Sequence, residues 1–124
     1  MILGTGVDVI EVARVQRAAE KEAFLRRVFT AGERAFFAQR NNSPHTMAGT
    51  FAAKEAVSKA LGTGFSEGLG LQDIEICHLE SGAPYASLTG AAKARLESMG
   101  GTRVHVSISH IKTVAVAQAV IEDG

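Results

Sequence analysis

The chain is poor in several residue types that commonly point to a function. Its 124 residues include one cysteine, one tyrosine and no tryptophan. The single cysteine, Cys77, excludes an internal disulfide framework and is compatible with a reducing cytosol. Because Cys77 lies in a strand-like pattern, we expect it to be a small buried side chain and not a nucleophile. The scarcity of aromatic residues argues against a surface on which bases stack.

The chain also lacks an excess of charge of one sign and a long run of apolar residues. Thirteen basic residues balance thirteen acidic ones, so the whole molecule has no general attraction for nucleic acid or an anionic membrane. No apolar run approaches the roughly 18 residues of a membrane span. The N-terminal segment resembles a strand and has no basic signal-peptide region. We therefore expect a cytoplasmic protein that binds neither nucleic acid nor membrane, and any charged docking must use a local patch.

The apolar residues that are present, 46% of the chain, suffice for a globular core, and the length predicts one domain over residues 1–124. Strands are predicted at Ile2–Ile10, Asp73–Leu79, Tyr85–Leu88, Arg103–Ser109 and Val114–Ile121. Helices are predicted at Glu11–Lys21, Ala23–Phe29, Thr30–Arg40 and Ala91–Met99, with a long helix from Pro44 to the stop at Gly62. This order indicates an α+β domain in which a mostly antiparallel sheet packs on the long central helix.

The central helix carries an unusual pair of charges. Ser43 can cap the helix and Pro44 can occupy its first position. Glu55 and Lys59 project together, one turn apart, from a surface of small apolar residues, and burying such charges costs several kcal/mol per ion unless it is compensated. They form either a structural ion pair or part of an active site, and the helix alone leaves both interpretations open. A separate polar side carries Thr50, Lys54 and Ser58.

A second carboxylate, Asp8, interrupts the apolar first strand. It could end the strand and cap the next helix, or it could bind a ligand beside Gly4 and Gly6, which share its face. If Asp8 faces Glu55, the two like charges repel each other, and a divalent cation would resolve the conflict. Two carboxylates without a histidine–cysteine cluster suit a hard ion such as Mg²⁺. Lys59 would then direct positive charge toward a phosphate.

Two further segments could hold the rest of a phosphorylated ligand. One is the loop 62–70, which contains four glycines but lacks the Lys-Ser/Thr ending of a Walker A loop. The other is the group of Ser107, Ser109 and His110. A stripe of Arg14, Arg17 and Lys21 on the second predicted element is either a solvated face or a docking patch for an acidic partner. These residues indicate Mg²⁺-assisted chemistry on a phosphate ester and leave the substrate open.

Three segments resemble the holo-[acyl-carrier-protein] synthases, the small class of the 4'-phosphopantetheinyl transferase superfamily. They are Gly4-Thr5-Gly6-Val7-Asp8, followed by Glu11 and Arg14; Phe51-Ala52-Ala53-Lys54-Glu55-Ala56, followed by Lys59 and Gly62-Thr63-Gly64; and Val106-Ser107-Ile108-Ser109-His110. All three occur in order in a chain of family length, with Asp73-Ile74-Glu75-Ile76 and Gly82-Ala83-Pro84-Tyr85 between them. The resemblance thus covers nearly the whole chain.

The resemblance implies transfer of the phosphopantetheine arm of coenzyme A to a serine of apo acyl carrier protein, with release of adenosine 3',5'-bisphosphate. It implies that Asp8 and Glu55 bind Mg²⁺, that Glu55 also helps to deprotonate the serine, and that Lys59 stabilises or protonates the leaving phosphate. Contacts to coenzyme A are implied for Lys59, Gly62, Gly64, Pro84, Ser109 and His110. The family is typically a homotrimer with active sites between subunits, and Arg14, Arg17 and Lys21 would face the acidic carrier.

Two positions depart from the family pattern. Thr50 stands where many members have arginine, and Ala83 stands where a lysine is frequent, so two charges that could touch coenzyme A phosphates are missing. Three other functions remain as alternatives at this point: a Mg²⁺-dependent phosphate-ester hydrolase, a non-catalytic module that binds coenzyme A or a carrier, and a structural trimer in which Glu55–Lys59 stabilises an interface.

Overall fold

The computed structural model describes residues 1–62 and 70–124, and these contain five strands and five α-helices. The strands are β1 (Ile2–Glu11), β2 (Ile74–His78), β3 (Pro84–Leu88), β4 (Arg103–His110) and β5 (Val114–Glu122). The helices are α1 (Val12–Ala18), α2 (Glu22–Val28), α3 (Ala31–Gln39), α4 (Pro44–Ala60) and α5 (Gly90–Ser98). The predicted elements are all present, and only their ends differ, by one to three residues.

The strands form two antiparallel sheets, where the sequence predicted one. The larger sheet has the order β1–β5–β4, and the smaller one pairs β2 with β3. The last strand, β5, is central in the larger sheet, where it lies between β1 and β4. The α+β class with antiparallel sheets packed on the long helix is confirmed.

The helix α4 covers one face of the larger sheet. On that face β5 buries Ala115, Ala117, Ala119 and Ile121. The opposite face is uncovered in the single chain, where Val7 is 57% exposed and Val9 is 62% exposed. Val7 and Val9 are large apolar side chains on the same uncovered face, which is typical of a surface that meets a partner.

The ends of α4 follow the predicted capping. Ser43 Oγ accepts a hydrogen bond from the backbone N–H of Thr46 at 3.5 Å, and Pro44 occupies the first turn. Gly62 follows the helix with a φ of 81°, which is a left-handed conformation that glycine adopts without steric cost. Sequence signals thus fix both ends of the element that carries Glu55 and Lys59.

The polar side of α4 is buried. Thr50, Lys54 and Ser58 are at most 3% exposed, and Lys54 Nζ donates to Glu33 Oε1 of α3 at 2.6 Å. The structural ion pair of α4 is therefore Lys54–Glu33. The structure also agrees with the prediction for Cys77: it is half-buried, and burial raises the pKa of its thiol, which disfavours the reactive thiolate.

In the part of the chain that the structure describes, no helix is both long and apolar enough to cross a membrane.

Candidate active site

The site begins where β1 and α4 come into unusually close contact. A Cβ added at Gly6 would collide with the carbonyl oxygen of Ala56, and one added at Gly4 would collide with that of Ala60. Glycine at both positions therefore lets the strand backbone lie directly against the helix. Asp8 follows on the same face of β1, so this close approach brings its carboxylate to the residues of α4. The two glycines thus allow a neighbour to come close to the strand beside Asp8, and this neighbour is the backbone of a helix.

Lys59 of α4 contacts Asp8 directly. Its Nζ donates to Asp8 Oδ1 at 3.0 Å and to the carbonyl oxygen of Val7 at 3.0 Å. The Lys59 side chain is 52% exposed, whereas that of Asp8 is 15% exposed. Asp8 is thus an ion-pair partner in a half-buried cleft, and the alternative that it caps the next helix is wrong, because the N-cap of α1 is Glu11. The ammonium reaches solvent, where a ligand could meet it.

Glu55 completes the group of three charged side chains. Burial raises the pKa of its carboxyl group, the negative charge of Asp8 raises it further, and Lys59 opposes both effects. Asp8 is therefore close enough to disfavour the ionised form of Glu55. Lys59 can pair with one of them but supplies only one positive charge for two negative ones.

These residues fit a divalent cation that prefers oxygen ligands. Among the described residues, no three histidine, cysteine, aspartate or glutamate side chains form a group that could hold a metal. A transition-metal site built by protein side chains alone is thus not indicated in that part of the chain. Two repelling carboxylates are what a Mg²⁺ site needs when a phosphorylated ligand provides further oxygen atoms.

A second group of predicted residues, from β3 and β4, lies beside the first half of α4. Pro84 and His110 line a cavity of about 300 Å³, together with residues from the first half of α4. Thr50, which also lines this cavity, and Lys59 are nine residues apart, or about 14 Å along a helix axis. A single chain therefore presents the Asp8–Glu55–Lys59 group and the Pro84–His110 group as two separate half-sites.

This cavity contains basic side chains that sequence reasoning missed. They are Arg40, His45 and His78, and none of the described residues that line the cavity carries a carboxylate. His45 and His110 have ring centroids 5.0 Å apart, and His45 Nε2 donates to the carbonyl oxygen of Lys112 at 2.8 Å. The helical spacing of His45, Thr46, Gly49 and Thr50 could have revealed this face of α4, whereas the approach of Arg40 depends on the fold.

Stacking holds Arg40 at the edge of this cavity. Its guanidinium carbon lies 4.7 Å from the ring centroid of Phe36, and the other partner of that ring is the His78 imidazole, stacked at 4.1 Å. Burial, followed by the nearby charge of Arg40, lowers the pKa of His78. The positive charge on this side of the cavity therefore comes from the guanidinium.

Within one chain, the other residues that were predicted to contact coenzyme A do not lie together at this cavity. Ser109 is exposed on β4 and does not line the cavity that contains Ile108 and His110. Gly62 lies just after α4, and Gly64 lies outside the described residues.

The predicted basic stripe forms the edge of a groove. Arg14, Arg17 and Lys21 are exposed, and with Arg27 they line a groove of about 550 Å³ between α1 and α2. Phe24 and Ala18 add apolar surface, and Glu20 is the one acidic residue among those that line it. We call this surface the basic groove. The groove has four positively charged side chains and one carboxylate, a balance that favours binding of an acidic partner.

These features define a class of protein: an α+β domain with two carboxylates and a lysine arranged for a phosphorylated ligand. The family model of the 4'-phosphopantetheinyl transferase superfamily matches residues 4–117. A holo-[acyl-carrier-protein] synthase of Clostridium beijerinckii is 46% identical over 123 residues, which are 98% of this chain and 98% of the relative.

Solved structures give the same result. The crystal structure of holo-[acyl-carrier-protein] synthase from Neisseria meningitidis matches with a TM-score of 0.88 and 34% identity, covering 98% of this chain and 99% of that one. The synthase from Bacillus anthracis, solved in complex with coenzyme A (3',5'-ADP), matches with a TM-score of 0.82 and 36% identity, covering 100% and 99%. The chain belongs to the 4'-phosphopantetheinyl transferase superfamily.

Proposed function

We propose that residues 1–124 form a single domain that transfers the 4'-phosphopantetheine group of coenzyme A to a serine of apo acyl carrier protein. The products are holo acyl carrier protein and adenosine 3',5'-bisphosphate. The observation that carries this proposal is the meeting of Asp8, Glu55 and Lys59 at the β1–α4 contact, in a chain that aligns with the synthases from end to end.

Asp8 and Glu55 hold Mg²⁺ in this proposal. When bound, the ion would supply positive charge that neutralises the coenzyme A pyrophosphate. The support from the chain itself is the mutual repulsion of the two carboxylates, which raises the pKa of Glu55 in addition to the effect of burial. Magnesium binding would remove this repulsion.

The chemical step is a displacement at phosphorus. The serine oxygen forms a bond to the phosphorus that bears the pantetheine arm, and the bond from that phosphorus to the bridging pyrophosphate oxygen breaks. Glu55 accepts the serine proton as the general base. Lys59, whose ammonium reaches solvent beside Asp8, stabilises or protonates the leaving bisphosphate.

The complete site lies between subunits of a homotrimer in this proposal. Within one chain the Pro84–His110 cavity lies beside the first half of α4 and the Asp8–Glu55–Lys59 group lies at its last turns. Neighbouring chains that each contribute one of these half-sites would combine them in one active site. The uncovered face of the larger sheet, with Val7 and Val9 exposed, provides an apolar surface for such an assembly. Pro84, Ser109 and His110 would then face coenzyme A from the neighbouring chain.

Arg40 supplies a positive charge where Thr50 and Ala83 do not. Because the pyrophosphate belongs to the metal half-site, the anion that remains for the carboxylate-free cavity is the ribose 3'-phosphate of coenzyme A. Arg40 and His45 line that cavity beside His110, and charge-assisted hydrogen bonds to phosphate are among the stronger ones in proteins.

We predict that Arg40→Gln weakens binding of coenzyme A about tenfold or more, the cost of one hydrogen bond to a charged group. Binding of dephospho-coenzyme A, which lacks the 3'-phosphate, should hardly change. Isothermal titration with both ligands measures the difference. If Arg40→Gln weakened the binding of both ligands equally, the assignment of Arg40 to the 3'-phosphate would be contradicted, while the transferase proposal would be unaffected.

The basic groove binds the carrier. We predict that Arg14→Glu raises the KM for apo acyl carrier protein about tenfold at low salt, because rim charges mainly control encounter, while binding of coenzyme A stays unchanged. The effect should shrink as salt screens the surface. Lys93→Glu, which reverses an exposed charge on α5, is the control. Equal losses for both substrates would mean that the groove does not dock the carrier.

Dependence on the acceptor tests the reaction type. The protein, coenzyme A and Mg²⁺ should release adenosine 3',5'-bisphosphate only after apo carrier is added, and not when the acceptor serine of the carrier is replaced by alanine. Release without any carrier would instead identify a hydrolase.

A further inference from the structure

A fully buried ion pair lies on the side of α4 that faces α3. Lys54 Nζ donates to Glu33 Oε1 at 2.6 Å, and the two side chains are 0% and 1% exposed. Neither residue can touch a substrate. Lys54 directly precedes Glu55 in the sequence, so whatever fixes Lys54 also fixes the helix turn that presents Glu55.

The Glu33 carboxylate is held by groups other than Lys54. Its Oε1 accepts the backbone N–H of Thr30 at 2.8 Å, and its Oε2 accepts the backbone N–H of Ile76 at 2.8 Å. The first bond is half of the capping box at the start of α3. The second joins α3 to β2. Glu33 is therefore a fixed acceptor that belongs to the framework around α4.

The other buried residues of α4 include few long side chains that would define its rotation about the helix axis. Its other buried positions are mainly small residues: Ala48, Gly49, Ala52, Ala53, Ala56 and Ala60. Helix packing is directional when side-chain ridges fit into grooves, and alanine and glycine make shallow ridges. A rotation of about 20° would move a side-chain tip by about 2 Å at the radius of a helix surface, and a 1 Å displacement can cost about 100-fold in rate.

We infer that Lys54 and Glu33 are positioning residues that fix the rotation of α4, so that Glu55 and Lys59 meet Asp8. A buried ion pair contributes little to stability compared with apolar residues of similar size, but it is strongly directional. This inference rests on the proposed function for its catalytic consequence. The geometric consequence is a correctly formed Asp8–Glu55 metal site, which can be measured without any turnover.

The test is the neutral double variant Glu33→Gln with Lys54→Met. It keeps both side-chain lengths and an acceptor for one of the two backbone N–H groups that Glu33 binds. The variant should therefore fold, with a melting temperature lowered by several degrees because the other buried N–H loses its acceptor. At saturating Mg²⁺ we expect kcat to fall about 10- to 100-fold, while the KM values for coenzyme A and for the carrier stay within about twofold. Affinity for Mn²⁺, followed by electron paramagnetic resonance without substrates, should fall several-fold.

Ser58→Ala is the matched control. Ser58 lies one turn after Lys54 on the same buried side, and its Oγ has no hydrogen-bond partner among the described residues. This change should leave kcat and Mn²⁺ affinity as they are in the wild type. The single Lys54→Met variant should be much less stable than the double variant, because it leaves the charge of Glu33 buried alone.

Two results would overturn the inference. A stable double variant with the kcat and the Mn²⁺ affinity of the wild type would mean that the pair does not position α4. A double variant that is partly unfolded under the assay conditions, and that loses activity only by its unfolded fraction, would mean that the pair is only structural. Failure of the transferase proposal is recognised separately, because the wild type itself would then transfer nothing while the Mn²⁺ comparison could still be made.

Discussion

The Glu55→Gln variant is expected to lose phosphopantetheine transfer by about 10²- to 10⁴-fold, the usual contribution of a positioned acid or base. Glutamine has the same shape but cannot accept the serine proton and is a poorer ligand for a hard cation. Without Mg²⁺ the variant should be at least as stable as the wild type, because the repulsion from Asp8 that raises the pKa of Glu55 disappears.

Initial rates and light scattering of the purified assembly together check this prediction. Glu97→Gln, which changes an exposed carboxylate on α5, is the control and should transfer normally. An assembly that falls apart on loss of the Glu55 carboxylate would favour a structural role for Glu55 at an interface. A variant that retains most of its rate would remove Glu55 from the mechanism.

The Gly6→Ala variant is expected to lose both stability and activity. The added Cβ would collide with the carbonyl oxygen of Ala56, and the backbone nitrogen of Ala60 would lie only 2.8 Å away. Because both obstacles are backbone atoms, α4 must move away from β1. Overpacking of this kind costs about 1–3 kcal/mol, and we expect the upper end. The displaced helix would separate Glu55 and Lys59 from Asp8, with a rate loss of about 100-fold.

Urea unfolding and transfer rates measure the two effects. Gly70→Ala is the matched control, because a Cβ at Gly70 meets none of the described residues within 4 Å and its φ of −107° suits any residue. A Gly6→Ala variant as stable and as active as this control would mean that close contact between strand and helix does not build the site.

The sequence predicted what depends on neighbours along the chain. The Ser43 cap, Pro44 at the first helical position and the stop at Gly62 are local signals, and all three are present. Asp8 was recognisable because a carboxylate in an apolar strand conflicts with local preference.

Contacts between distant segments could not be predicted in this way. Lys54 and Glu33 are 21 residues apart, and nothing in either local pattern indicates that the polar side of α4 turns inward to meet α3. Similarly, Arg40 joins the Pro84–His110 cavity only because stacking on Phe36 holds it there. Lys59 seemed to belong with Glu55, one turn away, yet its hydrogen-bond partner is Asp8, 51 positions earlier.

The most direct test of the central claim is the intact mass of acyl carrier protein after incubation with this protein, coenzyme A and Mg²⁺. We predict that apo carrier gains the mass of one phosphopantetheine group, that chelation of the metal prevents the gain, and that Glu55→Gln nearly abolishes it. Correctly folded apo carrier that keeps its original mass under these conditions would contradict the account.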